Sequence, residues 1–310
     1  MLEKQQIETY KNDGVLVIDD LFTLEEISEL MTAIENCSHV QDHLRSDPHG
    51  FKFHLLEITT MHPVFLKYAC HPKIVSKIIP LLGKDIQLQH SKLTAKMPGE
   101  TKGHIPWHQD FAYIPHPNTH LLTVMICLVD FTIENGCMKM IQGGHKLGLL
   151  NHREENGLES LSGCSDSWAL EDMSKIIDIT PKKGGISIHH CLMPHSSSDN
   201  MSNAPRFSLA YHYRARHALQ IADKVWEDTG LVVAGKDNEQ PLDIHFEAMQ
   251  IPLLKSIHRY SDNPYGTAFN QIGNSVKSRR IMSPFYKAAS TRECGDSSFV
   301  NLFHNTTQDI

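Results

Sequence analysis

The residues best suited to chemistry are two histidines and an aspartate that could share one metal ion. His108 and Asp110 stand two apart in the segment WHQDF, and residues two apart in an extended strand project from the same side. His195 follows much later in the segment MPHSSSDN. Two imidazoles and one carboxylate on one face of an octahedron leave three positions open, as in non-haem iron(II) oxygenases. The pattern therefore predicts an iron(II) site formed by His108, Asp110 and His195.

Arg206 indicates what would share that metal. It lies eleven residues after His195, at the start of an apolar strand. Two of the open metal positions suit a chelating keto acid and the last suits dioxygen, while a guanidinium binds the far carboxylate of 2-oxoglutarate bidentately. Ser197 and Lys96 are weaker candidates for the same carboxylate. An ST-turn explains Ser197 equally well, and a surface position is the ordinary expectation for an arginine at a strand start.

The chain has 21 histidines, so a single HxD pair carries little weight and the combination with a later histidine and an arginine carries more. His189 and His190 are neighbours, and adjacent strand residues point to opposite faces, so at least one of them is structural. The segment GGHK, with His145, is better explained as a tight turn in which the glycines relieve the backbone.

Length and composition limit the classes of function. The 310 residues carry a formal charge of -7 and 40% apolar side chains, which disfavours binding to nucleic acid or to an anionic membrane. The first residues are polar, and no stretch approaches the roughly 18 apolar residues of a membrane helix. The sequence contains no CxxC pair, so its cysteines do not suggest a structural zinc site. We expect a soluble, cytoplasmic protein.

The elements that must position the candidate residues are mostly strands. Residues 14–20 suit a strand, residues 23–36 suit a helix with a Thr23 and Glu26 capping box, and Pro72 to Leu82 suits a second helix. Asn135 and Gly136 suggest a hairpin turn between the strands at 121 and 137. Further strand-like runs are IQLQHSKLTAKM, LLTVMICLVDF, CMKMIQ, KIIDI, GISIHH and RFSLAYHYR.

Short strands without crossover helices predict a mainly β protein with flanking helices, built as an antiparallel jelly roll. We expect one domain over residues 1–310. Its β core spans about 85–215, an N-terminal helical buttress spans about 1–84, and a C-terminal extension from about 217 to 310 packs on the core.

Four segments in order, KMPG, WHQDFAYIP, ENGCMKMIQGGHKLG and PHSSSDNMSNAPRFSLAYHY, resemble the phytanoyl-CoA dioxygenase family of iron(II)/2-oxoglutarate oxygenases. The resemblance implies a double-stranded β-helix of the cupin kind, with His108, Asp110 and His195 as iron ligands and Arg206 at the co-substrate. Ser197 and Lys96 also match positions near 2-oxoglutarate. Met125 departs from the tryptophan of some relatives. Related halogenases lack the carboxylate ligand, so Asp110 argues against halogenation.

The predicted reaction uses iron(II), 2-oxoglutarate and dioxygen to oxidise a C–H bond of a small metabolite, by hydroxylation, ring closure or desaturation. Phe51, Phe53, Tyr113 and His116 flank the site, and this mixture of groups suits a carboxylated or otherwise polar substrate. The family's range includes secondary metabolism. The alternatives are a cupin-type metal enzyme that does not oxidise its substrate, and a small-molecule sensor; neither needs an arginine facing the metal.

Overall fold

The computed structural model of the chain describes residues 1–45, 54–99, 103–152, 163–164, 166, 173–220 and 228–235. In this part of the chain two antiparallel sheets share an interior, and helices cover the outer side of the larger sheet. No helix among these residues is long and apolar enough to cross a membrane.

Among the described residues the α-helices lie in the first third of the chain, and their ends follow local sequence rules. Thr23 accepts a hydrogen bond from the Glu26 amide while the Glu26 carboxylate accepts one from the Thr23 amide, which confirms the capping box. Two later helices have proline in their first turn. The helices are α1 (Lys4–Asp13), α2 (Leu24–Asn36), α3 (Ser38–Arg45), α4 (Pro63–Ala69) and α5 (Pro72–Leu82).

Between residues 86 and 215 most connections pass from one sheet to the other, as expected for a jelly roll. They are β1 (Val15–Ile18), β2 (His54–Leu56), β3 (Ile86–Lys96), β4 (Ile105–His108), β5 (Leu121–Cys127), β6 (Met138–Ile141), β7 (Ile176–Ile179), β8 (Ile186–His190), β9 (His195–Ser197), β10 (Arg206–Ala215) and β11 (Leu231–Ala234).

The larger sheet has the order β1-β8-β5-β10-β3-β11, with β2 also paired to β3, and the smaller sheet has the order β4-β9-β6-β7. The mainly β, antiparallel prediction is confirmed. The larger sheet also takes β1 and β2 from the predicted buttress and β11 from the predicted extension, because edge strands hydrogen-bond to backbone left open by the core strands. Most of the extension lies outside the described residues.

The predicted hairpin at Asn135 and Gly136 is wrong. The strand at 121 is β5, which pairs with β8 and β10, whereas β6 pairs with β7 and β9 in the other sheet. The turn instead lies where the chain passes between sheets. The Asn135 side chain accepts from the Thr132 amide at 2.9 Å and donates to the Asp130 carbonyl at 2.8 Å. Such Asx contacts stabilise a turn whether or not the flanking strands pair.

Strand β10 shows how the two faces of the larger sheet differ. Leu209, Tyr211 and Tyr213 belong to the hydrophobic core beneath the helices, and the two tyrosine hydroxyls donate to carbonyls of α4. Alternate residues point the other way. One of them, Ala210, packs in a second core with Met140 of the smaller sheet. The interior between the sheets is where the candidate site residues meet.

Candidate metal centre

The structure brings His108, Asp110 and His195 together at the mouth of the interior. His108 ends β4, His195 begins β9, and the two face each other across this antiparallel pair, with ring centroids 4.1 Å apart. Asp110 begins the short 3-10 turn that follows β4. One nitrogen from each histidine and one oxygen of Asp110 all lie within 4.8 Å of one another. A single metal ion can therefore contact all three groups.

Backbone carbonyls orient both imidazoles. His108 Nδ1 lies 2.9 Å from the Pro106 carbonyl, and His195 Nδ1 lies 2.9 Å from the Met193 carbonyl. A carbonyl only accepts, so each Nδ1 carries the proton. Burial lowers the pKa of both rings, which favours their neutral forms. Each Nε2 is left with a lone pair, as in metal-binding histidines oriented through their other nitrogen.

Asp110 is nearly buried and ionised. Burial by itself raises the pKa of its carboxyl group, but interactions with His212, Lys92 and His195 outweigh that effect and hold the pKa well below its usual value. Asp110 Oδ1 lies 3.9 Å from His195 Nε2, whereas Oδ2 accepts a hydrogen bond from Thr123 Oγ1 at 2.9 Å. The two carboxylate oxygens thus have different surroundings.

Gln109, between the two first ligands, fixes the turn that carries them. It is fully buried on the opposite side from the imidazole of His108. Its Nε2 donates to the carbonyls of Gly148 and Leu192 at 2.8 and 2.7 Å, and its Oε1 accepts from the Leu150 amide at 2.8 Å. All three bonds join the turn to loops distant in sequence, so the ligand spacing is held rigidly.

Two buried cations lie beside this centre. Lys96 and Arg206 are directly opposite each other on β3 and β10, and they are 0% and 1% exposed. Lys96 Nζ donates to Ser197 Oγ at 2.6 Å and to the Ser198 carbonyl. Arg206 donates to the Gly136 carbonyl, and its guanidinium carbon lies 4.6 Å from the centroid of the Phe131 ring.

Neither Lys96 nor Arg206 forms a salt bridge with any residue that the structure describes. Within the described parts of the chain, no carboxylate oxygen lies within 4.0 Å of Lys96 or Arg206. Burial, then the charge of Arg206, lowers the pKa of Lys96 to about 6, and Asp199 offsets this only in part. Burial lowers the pKa of Arg206 to about 10. A buried guanidinium beside a buried amine, with no carboxylate oxygen within 4.0 Å among the described residues, forms a site for an anion.

The anion site borders the metal centre. His195 and Ser197 are two apart in β9 and therefore project to the same side. Because Lys96 contacts Ser197 Oγ, its ammonium group lies on the side of the sheet that presents the His195 imidazole. The six residues singled out in the sequence thus form one continuous polar patch.

Of the other histidines considered in the sequence, one lies beside Asp110 and two do not. His189 faces Asp110, with Nε2 3.4 Å from Oδ2, whereas His190 accepts from the Leu192 amide. Their opposite orientations are as predicted. His145 lies on a 3-10 turn, Gly144–Leu147, with its Nε2 3.2 Å from the Lys11 carbonyl, away from the metal centre. The Tyr113 ring lies 6.0 Å from the His108 ring. Phe51 and Phe53 lie outside the described residues.

Four further residues near the metal centre were not predicted from the sequence. Lys92 and Thr123, from β3 and β5, and His212 from β10 have side chains on the interior face, and Gln109 fixes the ligand turn. Alternation along β10 was the available signal, since Arg206, Ser208, Ala210 and His212 share one face.

A model of the phytanoyl-CoA dioxygenase family matches residues 10–208. The chain belongs to the phytanoyl-CoA dioxygenase family. Every predicted site residue lies inside the matched segment, as do both sheets apart from β11 and the end of β10. The predicted resemblance to the phytanoyl-CoA dioxygenase family is therefore confirmed.

Individual relatives agree with this assignment. A probable alpha-ketoglutarate-dependent hypophosphite dioxygenase of Stutzerimonas stutzeri is 28% identical over 258 residues, which cover 78% of this chain and 89% of the relative. The structure resembles the non-heme monooxygenase ThoJ (TM-score 0.62, 22% identity, 91% and 99% of the two chains). It also resembles EctD from S. alaskensis with 2-oxoglutarate and 5-hydroxyectoine (TM-score 0.61, 21% identity, 79% and 87%). These structural likenesses support the jelly-roll fold of the phytanoyl-CoA dioxygenase family.

Proposed function

We propose that the protein is an iron(II)/2-oxoglutarate-dependent dioxygenase. It oxidises an unactivated C–H bond of a small molecule, by hydroxylation, ring closure or desaturation, and releases succinate and carbon dioxide. One observation carries the proposal: a cluster of two histidines and one carboxylate adjoins the buried basic side chains of Lys96 and Arg206, which form no salt bridge with the described residues. A metal that binds a dicarboxylate keto acid needs both features side by side.

In this proposal His108 and His195 would hold iron(II) through Nε2 and Asp110 would hold it through a carboxylate oxygen. Bound iron with 2-oxoglutarate and dioxygen supplies the oxidising power for C–H cleavage. The chain's own groups do the positioning. The carbonyls of Pro106 and Met193 fix the imidazole rings, and the buried surroundings keep bulk water from the reacting atoms.

Arg206, Lys96 and Ser197 bind the far carboxylate of 2-oxoglutarate. The guanidinium and ammonium groups supply the charge, and the Ser197 hydroxyl, already in contact with Lys96 at 2.6 Å, supplies a further donor. An anion placed here pairs with the buried charge of Arg206 and favours protonation of Lys96, whose pKa is about 6 in the free protein. A metal enzyme that uses no keto acid has no use for this pair, which disfavours the cupin-type alternative.

We further propose that the substrate carries a negative group and that Lys92 binds it. Lys92 stands on the interior face of β3, four residues before Lys96 and therefore about 13 Å from it along the strand. It is half-buried, has no carboxylate oxygen within 4.0 Å among the described residues, and is one of the charges that keep Asp110 ionised. Carboxylates and oxyanions, such as the hypophosphite in the name of the Stutzerimonas relative, fit this requirement.

The proposed activity has a direct test. Anaerobic protein mixed with iron(II) and 2-oxoglutarate develops a weak visible charge-transfer band, and the His108→Ala variant does not. Absence of the band in the wild type would refute the proposal. Carboxylate and hypophosphite candidates are then compared by succinate release and by mass change of the substrate.

Lys92→Met separates substrate binding from co-substrate binding. The variant raises the KM of an anionic substrate at least tenfold, in line with the loss of a charge-assisted contact of about 1.5–3 kcal/mol, while the charge-transfer titration with 2-oxoglutarate stays unchanged. A lowered affinity for 2-oxoglutarate would instead assign Lys92 to the co-substrate.

A further inference from the structure

Asp110 is supported from behind by a chain of two buried side chains. Thr123 Oγ1 lies 2.9 Å from Asp110 Oδ2 and also 2.9 Å from His212 Nδ1. Thr123 and His212 face each other on β5 and β10. They are 2% and 3% exposed, and His90 stacks on His212 with ring centroids 3.8 Å apart. The chain is thus shielded from water and held in place by packing.

The direction of each hydrogen bond follows from the groups involved. An ionised carboxylate only accepts, so Thr123 must give its single hydroxyl proton to Asp110 Oδ2. The threonine oxygen then accepts from His212, which places a proton on Nδ1 of that ring. Each proton in the chain has one allowed place.

Asp110 Oδ2 is therefore occupied by the protein. It receives the Thr123 hydrogen bond and lies 3.4 Å from His189 Nε2. Oδ1 faces His195 Nε2 at 3.9 Å, on the side of the other ligand atoms. The carboxylate thus offers one oxygen to a metal and keeps the other turned away from it.

We propose that Thr123 and His212 are positioning residues that restrict Asp110 to binding the metal through Oδ1 alone and thereby strengthen metal binding. This rests on the proposed metal centre. A carboxylate free to rotate would lose orientation before binding and could bind through both oxygens, taking up one of the positions that the keto acid and dioxygen need.

The test compares Thr123→Val with Thr123→Ser in the full-length protein, using cobalt(II) alone as the probe. Valine keeps the shape of threonine and removes the hydroxyl, whereas serine keeps the hydroxyl. The cobalt dissociation constant rises about 10- to 100-fold in Thr123→Val and stays within about threefold of wild type in Thr123→Ser. The visible d–d band of bound cobalt changes in intensity only in the valine variant, because two-oxygen ligation raises the coordination number.

The metal-free melting temperatures of all variants are measured alongside, since a purely structural defect would lower them without a change in the cobalt spectrum. Thr123→Val with cobalt affinity within twofold of wild type and an unchanged spectrum would overturn the inference.

A second pair keeps the test valid if Thr123→Val folds poorly. His212→Asn retains a donor near Nδ1 and His212→Leu removes it, so only the leucine variant weakens cobalt binding. The double variant Thr123→Val/His212→Leu binds cobalt about as weakly as Thr123→Val alone, because both changes break one chain. Additive losses of cobalt affinity in the double variant would show that Thr123 and His212 do not act through one hydrogen-bonded chain.

The inference and the proposed function fail in different ways. If wild-type protein and His108→Ala both fail to bind cobalt, the metal centre itself is refuted. If the wild type binds cobalt, His108→Ala does not, and the Thr123 and His212 variants bind it like the wild type, the metal centre stands. Only the positioning role of Thr123 and His212 is then refuted.

Discussion

The two faces of the larger sheet are built from the same strands but serve different ends. Toward the helices, β10 presents Leu209, Tyr211 and Tyr213 in a continuous hydrophobic core. Toward the smaller sheet it presents Arg206 and His212, both nearly fully buried. Apolar burial on the first face stabilises the fold, whereas burial of polar groups on the second face costs stability unless a ligand completes them. Stability of the fold and function of the site therefore depend on alternate residues of the same strand.

The strongest contrast lies between two arginines on the inner face of β10. Arg206 has no acidic partner within 4.0 Å in the described chain, whereas Arg214 Nε donates to Asp228 Oδ2 at 2.6 Å. Arg206→Met lowers affinity for 2-oxoglutarate by about 2–5 kcal/mol, the cost of leaving a carboxylate unpaired. It changes the unfolding free energy by less than about 1 kcal/mol, because the lost Gly136 contact is offset by removal of a buried charge.

Arg214→Met is the matched control with the opposite result. The substitution removes the partner of Asp228 and lowers the free energy of unfolding by about 3 kcal/mol. Binding of 2-oxoglutarate to the protein that remains folded is unaltered. Calorimetric titration of the iron-loaded protein without oxygen and denaturant unfolding measure the two quantities. Equal losses of 2-oxoglutarate affinity in both variants would remove the distinction between the arginines.

Neighbouring residues of β10 give a similar contrast in stability. Leu209 is fully buried in the core beneath the helices, so Leu209→Ala lowers the unfolding free energy by about 2–5 kcal/mol. Ser208, on the inner face, is buried with its hydroxyl oxygen unpartnered among the described residues, so Ser208→Ala leaves stability unchanged or raises it. Urea unfolding of the metal-free protein compares them. A larger loss for Ser208→Ala would mean that its face, too, contributes to the fold.

Lys96 gives the smallest effect, a dependence of co-substrate binding on pH. Its pKa is lowered to about 6 in the free protein by burial and by Arg206, so near neutral pH its amine is mostly uncharged. A bound carboxylate restores the charge, so binding takes up a proton. The affinity for 2-oxoglutarate therefore falls as pH rises above about 6, by at most about tenfold per pH unit.

Lys96→Met removes this slope and lowers the affinity at the acid end. Titrations of metal-loaded wild type and variant across that range measure it. Identical slopes in the two proteins would assign the proton uptake to another group.

Much of this arrangement could be predicted from sequence because it depends on short-range spacing. The two-residue step from His108 to Asp110, the start of β10 at Arg206 and the capping box of α2 are all local rules, and each element lies where it was expected. Helices α1, α3 and α4 were not predicted. They are short or polar, and packing on the sheet stabilises them more than their own sequences do.

The inner residues were harder to find because both faces of the central strands are buried. All seven residues of β5 are buried, so the usual alternation of apolar and polar residues does not show which side is interior. Thr123 and Met125 share a face because they are two apart in β5, and only the pairing with β10 and β8 makes that face the interior one. The false hairpin at Asn135 has a different origin, because turn chemistry does not reveal which sheet the next strand joins.

An anaerobic crystal structure with iron(II) and 2-oxoglutarate tests the central claim most directly. We predict one metal ion bound by His108 Nε2, His195 Nε2 and Asp110 Oδ1, with the far carboxylate of 2-oxoglutarate contacting Arg206 and Lys96. A metal bound elsewhere, or a keto acid whose far carboxylate avoids both cations, would contradict the account.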